Sequence, residues 1–359
     1  MGDALTFDSR GLPKLLHSGS PRYLGGIPDL HAGIVKIVIV TPALPTETSG
    51  NSITANRWAR ILRTLGHQVS ITTEWNNVDC DALIALHARR SHSSIERFWR
   101  TYPGRPLIVA LTGTDLYSDL LTDAQALHSL SIATRVVALQ SAALEQLDNT
   151  TRAKTHIIYQ SAVPPVHRPK PAEDRFEVCV LSHLRDVKDP LRAALASRLL
   201  PNASRIRIVH AGRAMDPKWA EAAKLEENHN SRYRWIGEQS QEAALQLLSR
   251  SRLLVLSSIM EGGANVIAEA VVCGTPILCS DIPGNVGMLD REYPGFFRTG
   301  DTEQLSAMLH DAEIDPDFLI RLGRAIHQLQ QRFAPEREVA CWHDLLQLTL
   351  SKNGLGGTG

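Results

Sequence analysis

Short apolar runs alternate with helical segments along almost the whole 359-residue chain, and this alternation limits the possible folds more than any other feature. The first run, "KIVIVTP", is followed by a stretch with Trp58, Ile61, Leu62 and Leu65 on one helical face and Gly66 as a stop. Similar runs are "HQVSITT", "DALIALHA", "RPLIVALTG", "RVVALQ" and "KTHIIYQ", and later "FEVCVLSHL", "RIRIVHAG", "YRWIG", "LLVLSS" and "TPILCSD". Strands that alternate with helices predict parallel sheets covered on both faces.

A proline-rich segment, "SAVPPVHRPKPAEDR", interrupts the alternation once. Such a segment is stiff and extended, which is typical of a linker. In parallel α/β sheets ligands bind beyond the carboxyl ends of the strands, so we expect the site in a cleft between two halves. The predicted domains are a leader outside the fold (1–33), an N-terminal Rossmann-like acceptor domain (34–165), a C-terminal Rossmann-like donor domain (166–333), a helix crossing back to the first domain (334–350) and a tail (351–359).

The composition argues against several classes of protein. Lys plus Arg and Asp plus Glu number 38 each, whereas nucleic-acid binders need a surplus of cations. No apolar stretch reaches the length of a membrane span, and the N-terminus has no apolar core like that of a secretory signal. Five scattered cysteines without CxxC spacing are typical of buried free thiols. These features predict a cytoplasmic protein without a nucleic-acid partner or an integral membrane segment.

The segment "EGGANVIAEAVVCGTPIL" carries Glu261 and Glu269 around a glycine pair. On an ideal helix, eight residues advance about 12 Å and rotate by about 80°, so both acids can face one side. A carboxylate can accept from two vicinal hydroxyls, and a helix start favours an anion. The spacing therefore suits a sugar nucleotide, with one acid for each sugar and the helix start for the diphosphate. For either glutamate alone the better explanation is structural, Glu269 as an exposed ion-pair partner and Glu261 as a helix N-terminal acid. For the pair, with the glycines and the following strand, the sugar-nucleotide explanation is better.

This segment resembles the signature of retaining glycosyltransferases of family 4, which have the GT-B fold of two Rossmann-like parallel-sheet domains facing a cleft. The likeness extends from Val35 to about residue 350. It implies that Glu261 binds hydroxyls of the donor sugar as part of the catalytic set, and that Glu269 binds the ribose. It also implies that nearby backbone amides approach the sugar and phosphates, namely those of Gly262, Gly263, Ala264, Asn265 and Val266.

Two other segments of the second half resemble parts of the same family. "LSHLRDVKDP" places Arg185 and Lys188 where such enzymes hold the donor diphosphate, on which charge grows as the glycosidic bond breaks. The alternative is a solvated charged loop. "YRWIG" is similar to the segment whose loop packs on the nucleotide base, which implies a donor contact for Ile236 and Gly237 or simply a strand end and a turn.

In the first half, "PALPTETSGNSITANR" resembles the glycine-bearing loop after the family's opening strand. This likeness implies that Gly50 and Asn51 present backbone amides to the donor phosphate at a helix start. A Gly-Asn pair is also typical of an ordinary turn.

Motifs for other cofactors are missing. No GxGxxG follows the first strand and no GxxxxGK[ST] occurs, so dinucleotide and P-loop sites lack their sequences. The 14 histidines are dispersed, and the segments "DCD" and "DPD" lie away from the expected site. We therefore expect catalysis without a metal ion or a cofactor, with the UDP-sugar as co-substrate.

The third and fourth strands end in "ALHARRSHSS" and "ALTGTDLY". Clustered cations repel one another unless an anion lies among them, so these loops predict a small anionic acceptor. The alternatives are a solvated basic loop or, with Phe98 and Trp99, a membrane-surface patch. The ten basic and ten acidic residues between positions 35 and 150 do not favour the membrane alternative. The predicted acceptor-binding residues are His87, Arg89, Arg90, Thr112, Thr114 and Asp115.

Three long segments, including "ALTGTDLY" and "SSIMEGGANVIAEAVVCGTPILCSDIPGNVGML", resemble the selenosugar synthases of selenoneine biosynthesis, a branch of this glycosyltransferase group. The likeness implies transfer of a sugar from a UDP-sugar, UDP-N-acetylglucosamine, to selenophosphate, with a new carbon–selenium bond and retained configuration. Because selenium is already a strong nucleophile, we expect positioning and leaving-group stabilisation rather than a general base. The alternatives are a conventional glycosyltransferase with a carbohydrate or lipid acceptor, a GT-B sugar-nucleotide epimerase and a non-catalytic nucleotide-sugar sensor.

Overall fold

The eleven predicted apolar runs form all but one of the strands in two parallel sheets of six strands each. The computed structural model describes residues 33–43 and 49–350, and its contacts divide the chain into two units. The N-terminal unit comprises the described residues up to Gln160 together with 335–350, and the C-terminal unit comprises Ser161–Ala334. The predicted tail and all of the predicted leader except Gly33 lie outside the described residues.

The sheet of the N-terminal unit has the order β2-β1-β3-β4-β5-β6, and every pairing is parallel. Its strands are β1 (Lys36–Val40), β2 (Gln68–Thr72), β3 (Ala82–Leu86), β4 (Leu107–Leu111), β5 (Arg135–Ala138) and β6 (Thr155–Ile157). Its helices along the same stretch are α1 (Gly50–Thr64), α2 (His92–Thr101), α3 (Thr114–Tyr117), α4 (Ala124–Ile132) and α5 (Asn149–Ala153). The central strands β3 and β4 are buried along their whole length, as expected for strands covered on both faces.

Helix α1 forms where the apolar spacing predicts a helix. Ser49 caps its start by accepting a hydrogen bond from the Ser52 backbone N–H at 3.3 Å. Trp58 and Leu62 on its inner face are fully buried against the sheet. Gly66 adopts a φ of +89° just after the helix end, which is the conformation expected of the predicted stop.

The sheet of the C-terminal unit has the order β12-β11-β10-β7-β8-β9 and is also parallel throughout. Its strands are β7 (Phe176–Leu181), β8 (Ile206–Ala211), β9 (Tyr233–Trp235), β10 (Leu253–Leu256), β11 (Ile277–Ser280) and β12 (Phe296–Phe297). Its helices are α6 (Arg192–Arg198), α7 (Pro217–His229), α8 (Gln241–Arg250), α9 (Asn265–Cys273), α10 (Pro283–Leu289), α11 (Thr302–Ile314) and α12 (Pro316–Gln328). Because all strands run in one direction, the loops that follow them lie at one edge of the sheet.

The last helix, α13 (Pro335–Leu350), packs on the N-terminal unit. Its Trp342 is fully buried edge-on against Trp58 of α1, with ring centroids 4.7 Å apart. The Trp58 indole N–H donates to Glu338 Oε1 at 2.9 Å, so the buried carboxylate of α13 has a hydrogen-bond donor from α1. These contacts make α13 part of the core around α1.

We expect Trp342→Ala to lower the free energy of unfolding by about 3–5 kcal/mol, because it removes a fully buried indole and leaves a cavity beside Trp58. Urea denaturation followed by circular dichroism measures the change. The matched control is Trp99→Ala, since the Trp99 side chain on α2 is 41% exposed. Equal losses for the two variants would contradict the assigned core position of α13.

Candidate active site

The loops that follow β7 and β10 meet at the carboxyl edge of the C-terminal sheet. The first loop contains a short 3-10 helix, Asp186–Lys188, and the Ile259 backbone N–H of the second loop donates to the Val187 carbonyl at 2.9 Å. The Lys188 ammonium pairs with Glu261 Oε1. Their side chains are only 16% and 9% exposed. The predicted phosphate-binding lysine and the predicted sugar-binding acid therefore form one ion pair.

Glu261 is held by further contacts besides Lys188. The Ser258 hydroxyl donates to Glu261 Oε1 at 2.6 Å. The backbone of Glu261 lies directly against the start of α10, where a Cβ added to Gly284 would come within 2.0 Å of the Glu261 carbonyl oxygen. Neither Ser258 nor Gly284 was predicted from the sequence. The one sequence signal that could have indicated Ser258 is its position three residues before Glu261.

The ideal-helix spacing assumed between Glu261 and Glu269 does not hold. Helix α9 begins at Asn265, with Ala264 as its N-cap residue, so Glu261 lies in the loop before it. The backbone from Gly262 to Ala264 does not follow the ideal helix on which the spacing argument depended. Glu269, by contrast, lies inside α9 and is half-buried.

The amides predicted to meet the donor lie at the start of α9. By helix geometry the first N–H groups of α9, including that of Val266, have no intrahelical acceptor. Gly262 is buried and Gly263 is half-buried in the bend before the helix. A nine-residue helix whose first turn follows Glu261 can direct its positive end at an anion, so the phosphate contact stays a prediction.

Arg185 differs from Lys188 in its surroundings. It is exposed at the start of the short 3-10 helix, and its side chain forms no hydrogen bond or ion pair with the part of the chain that the structure describes. The neighbouring Asp186 pairs with Lys218 at 3.0 Å rather than with Arg185. The structure therefore places one available cation and one paired cation on the same loop.

Ile236 and Gly237 follow β9 at the same edge. The Ile236 N–H donates to the His210 carbonyl at 2.9 Å, and Gly237 has a φ of +69°. Its carbonyl accepts from the Gly212 N–H at 2.8 Å, and a Cβ at Gly212 would clash with the Ser182 carbonyl at 1.8 Å. These contacts connect the loops after β7, β8 and β9, and the predicted contact with a nucleotide base stays a prediction.

His210 on β8 connects its two neighbouring strands at this edge of the sheet. It is buried, with Nε2 3.0 Å from the Ser182 carbonyl and Nδ1 3.0 Å from the Tyr233 hydroxyl. Burial lowers its pKa to about 4, because a charged imidazole would lose its hydration. A neutral His210 that bridges Ser182 after β7 and Tyr233 of β9 is a structural residue.

In the N-terminal unit, Gly50 and Asn51 are the first two residues of α1, so the predicted helix start is confirmed. Gly50 is exposed, and a Cβ added there would meet nothing within 4 Å. The preceding residues 44–48 lie outside the described part of the chain. The amide contact with a donor phosphate stays a prediction.

His87 and Asp115 join the loops after β3 and β4. Asp115 is fully buried, and its carboxylate accepts backbone N–H groups from Ala88 at 3.0 Å, Thr112 at 2.9 Å and Gly113 at 2.8 Å. His87 has a strained φ of +73°, which a non-glycine residue keeps only where its surroundings enforce it. Asp115 therefore holds the two loops together. Because its carboxylate already accepts these backbone N–H groups, the geometry does not favour a direct contact with the acceptor substrate.

Burial lowers the pKa of His87, and the neighbouring Asp115 opposes this shift. Its Nδ1 accepts from the Arg90 backbone N–H at 3.3 Å, so the neutral ring carries its proton on Nε2. Nε2 lies 3.9 Å from Asp119 Oδ2. The ring is almost fully buried between the two loops.

The argument that unneutralised cations crowd this loop is wrong. Arg89 Nε lies 2.8 Å from Asp119 Oδ2 and 4.0 Å from Asp123 Oδ2, so the protein supplies its own counterions. Arg90 is exposed and its side chain has no hydrogen bond or ion pair within residues 33–43 and 49–350. Arg90 is therefore the cation of this cluster that a ligand can reach without breaking an ion pair. Thr112 is half-buried and its backbone N–H donates to Asp115, and the side chain of Thr114 lies outside the description.

Among the described residues, no three His, Cys, Asp or Glu side chains are arranged so that they could hold a metal ion. None of the helices described combines the length and apolar character needed to cross a membrane.

Comparison with known proteins agrees with this architecture. Residues 166–328 match the family described as "Glycosyl transferases group 1". The HepE protein of Anabaena, crystallised with UDP and glucose, is similar with a TM-score of 0.70 and 15% identity, over 88% of this chain and 100% of that chain. Sucrose-phosphate synthase of Thermosynechococcus elongatus is similar with a TM-score of 0.71 and 16% identity, over 88% and 99%. A putative UDP-N-acetylglucosamine 2-epimerase of Listeria monocytogenes gives a TM-score of 0.60 at 11% identity, over 89% and 97%.

The two parallel sheets and these structural neighbours define the GT-B fold. The family match covers most of the C-terminal unit, which carries the Lys188–Glu261 pair. The C-terminal unit thus matches a glycosyltransferase family, within a chain that has the GT-B fold.

We expect Gly284→Ala to lower the free energy of unfolding by about 1–3 kcal/mol, because the new Cβ would overlap the Glu261 carbonyl. In an unobstructed helix the same change stabilises by roughly 0.5–1 kcal/mol, so the sign of the effect is the test. Thermal unfolding measures it, with Gly50→Ala as the control in open space. A Gly284→Ala protein as stable as the control would contradict the close approach of α10 to Glu261.

Proposed function

We propose that the protein transfers a hexose from a UDP-sugar, UDP-N-acetylglucosamine in the first instance, to selenophosphate. The selenium attacks the anomeric carbon as the bond from that carbon to the UDP oxygen breaks. A carbon–selenium bond forms, and the bonding electrons leave with UDP. The Lys188–Glu261 pair beside an available Arg185 is the observation that carries the donor half of this proposal.

The donor site we propose lies on the C-terminal unit. Glu261 binds a sugar hydroxyl and Glu269 the ribose. Arg185 and Lys188, with the first amides of α9, stabilise the charge that grows on the departing diphosphate. The similarity to HepE, a protein crystallised with UDP-glucose, supports a uridine nucleotide as the carrier.

The acceptor site we propose lies on the loops after β3 and β4, with the exposed Arg90 guanidinium as the donor to a small anion. A guanidinium presents several N–H groups to one oxyanion. The attack occurs on the leaving-group face, so the configuration is retained. Because selenium is the nucleophile, no side chain has to remove a proton from it.

A carbohydrate acceptor is a second candidate that one observation favours. Asp119 and Asp123 lie within 4.0 Å of the Arg89 guanidinium in the proposed acceptor region. Carboxylates are good acceptors for sugar hydroxyls and poor neighbours for an anion. The two candidates share the donor site and differ only in what Arg90 binds.

An assay of purified protein separates the candidates. UDP-N-acetylglucosamine, UDP-glucose and UDP-galactose are each incubated with selenophosphate, phosphate, a panel of sugar and lipid acceptors, or no acceptor, and UDP release is measured. The proposal expects fastest release with selenophosphate and a selenium-containing product by mass spectrometry. UDP release without any glycosylated product would indicate an epimerase, and binding without release a sensor.

Arg185→Ala is expected to lower kcat by roughly a hundredfold or more with little change in UDP-sugar affinity, because the lost contact acts mainly on the departing diphosphate. Glu261→Ala should instead weaken binding of UDP-sugar relative to binding of UDP, because it removes the sugar contact and frees Lys188 for the diphosphate. Steady-state kinetics and isothermal titration of both variants measure the split. Equal losses of kcat and of UDP-sugar affinity in the two variants would refute the separate roles of Arg185 and Glu261.

Arg90→Ala is expected to raise the KM for selenophosphate about tenfold or more, since one charge-assisted hydrogen bond contributes about 1.5–3 kcal/mol. The matched control is Arg100→Ala, an exposed arginine of α2 that is paired with Glu96. UDP-sugar affinity should be the same in both variants. If Arg90→Ala changes no more than Arg100→Ala, the anionic acceptor site is wrong.

A further inference from the structure

The two oxygens of Glu261 have different surroundings. Oε1 accepts from the Lys188 ammonium and from the Ser258 hydroxyl, and a carboxylate oxygen has two lone pairs in its plane. Oε2 has no hydrogen bond with the described residues and keeps contact with solvent. Both acceptor positions of Oε1 are thus filled by the protein, and Oε2 is the oxygen that a ligand can reach.

Ser258 is itself fixed by a buried series of donors. It is fully buried, and its carbonyl accepts from the Ser280 hydroxyl at 2.5 Å. Asn285 Nδ2 in turn donates to Ser280, at 3.0 Å from the Ser280 carbonyl oxygen and 3.2 Å from the Ser280 hydroxyl oxygen. Ser280 and Asn285 are also fully buried. The series runs from α10 through the end of β11 to the acid.

We propose that Ser258 is a positioning residue that orients Glu261 for the donor sugar. This inference rests on the proposed role of Glu261 in sugar binding. With Ser258 in place, Lys188 and Ser258 hold Oε1 and Oε2 points to the ligand. Without the Ser258 hydroxyl, Lys188 is the remaining partner of the carboxylate, which can then rotate and engage the ammonium with both oxygens. In that arrangement Oε2 no longer accepts from the sugar.

The proposal refines how the sugar is recognised. A carboxylate with both oxygens open would accept from two vicinal hydroxyls, one on each oxygen. With Oε1 occupied, recognition comes from Oε2 alone, beside the Lys188 ammonium. Sugars are therefore distinguished at this position by the hydroxyl that reaches Oε2.

The test uses the ratio of UDP-sugar affinity to UDP affinity, measured by isothermal titration with UDP-N-acetylglucosamine, UDP-glucose and UDP. Ser258→Ala should lower this ratio about three- to tenfold while UDP affinity stays the same. Ser251→Ala is the matched control, because Ser251 is equally buried just before the opposite end of β10 and its hydroxyl bonds to the Leu247 carbonyl. Ser258→Cys, which is slightly larger and keeps a weak donor, should give an intermediate ratio and replaces Ser258→Ala if that variant does not fold.

Glu261→Gln separates the two levels of the proposal. If Glu261→Gln leaves the ratio unchanged, the proposed sugar-binding role of Glu261 fails. If Glu261→Gln lowers the ratio but Ser258→Ala matches Ser251→Ala, the positioning role of Ser258 alone is overturned. Equal weakening of UDP and UDP-sugar by Ser258→Ala, together with lower thermal stability, would mark a merely structural serine and overturn it as well.

Discussion

The ion pair of Lys188 with Glu261 is the interaction on which the donor region depends, because it joins the loops after β7 and β10. Burying either charge alone would be costly, and pairing removes most of that cost. The pair also defines the chemistry available at this edge of the sheet. A carboxylate can accept from sugar hydroxyls, and the ammonium beside it can meet a phosphate. In the proposed reaction an arriving diphosphate competes with Glu261 for Lys188, whereas the exposed Arg185 is available from the start.

Much of the fold was predictable from the sequence, because buried parallel strands appear as continuous apolar runs. Each run named as a strand is present, and helix α1 has the predicted apolar face and the predicted stop at Gly66. Strand β12 was not predicted, since two phenylalanines carry no periodic signal. The order of strands within each sheet was also beyond reach, because the pattern identifies elements without giving their neighbours.

The candidate site was predictable in its residues but not in its geometry. Lys188 and Glu261 were both named, yet their pairing over more than 70 positions leaves no local pattern in the sequence. The ideal-helix spacing between Glu261 and Glu269 does not hold, because α9 begins only at Asn265. Glycines before a helix make its first residue hard to locate from the sequence. An uncompensated charge on Arg89 was wrongly predicted, because its counterions, Asp119 and Asp123, lie beyond the segment "ALTGTDLY".

The central claim is that the C-terminal unit binds an activated sugar at the Lys188–Glu261 pair. A crystal structure of the protein with a bound UDP-sugar tests it most directly. The account predicts a sugar hydroxyl within hydrogen-bond distance of Glu261 Oε2, the ribose at Glu269, and the diphosphate beside Arg185, Lys188 and the start of α9. A nucleotide sugar bound elsewhere, with both glutamates free of it, would contradict the account.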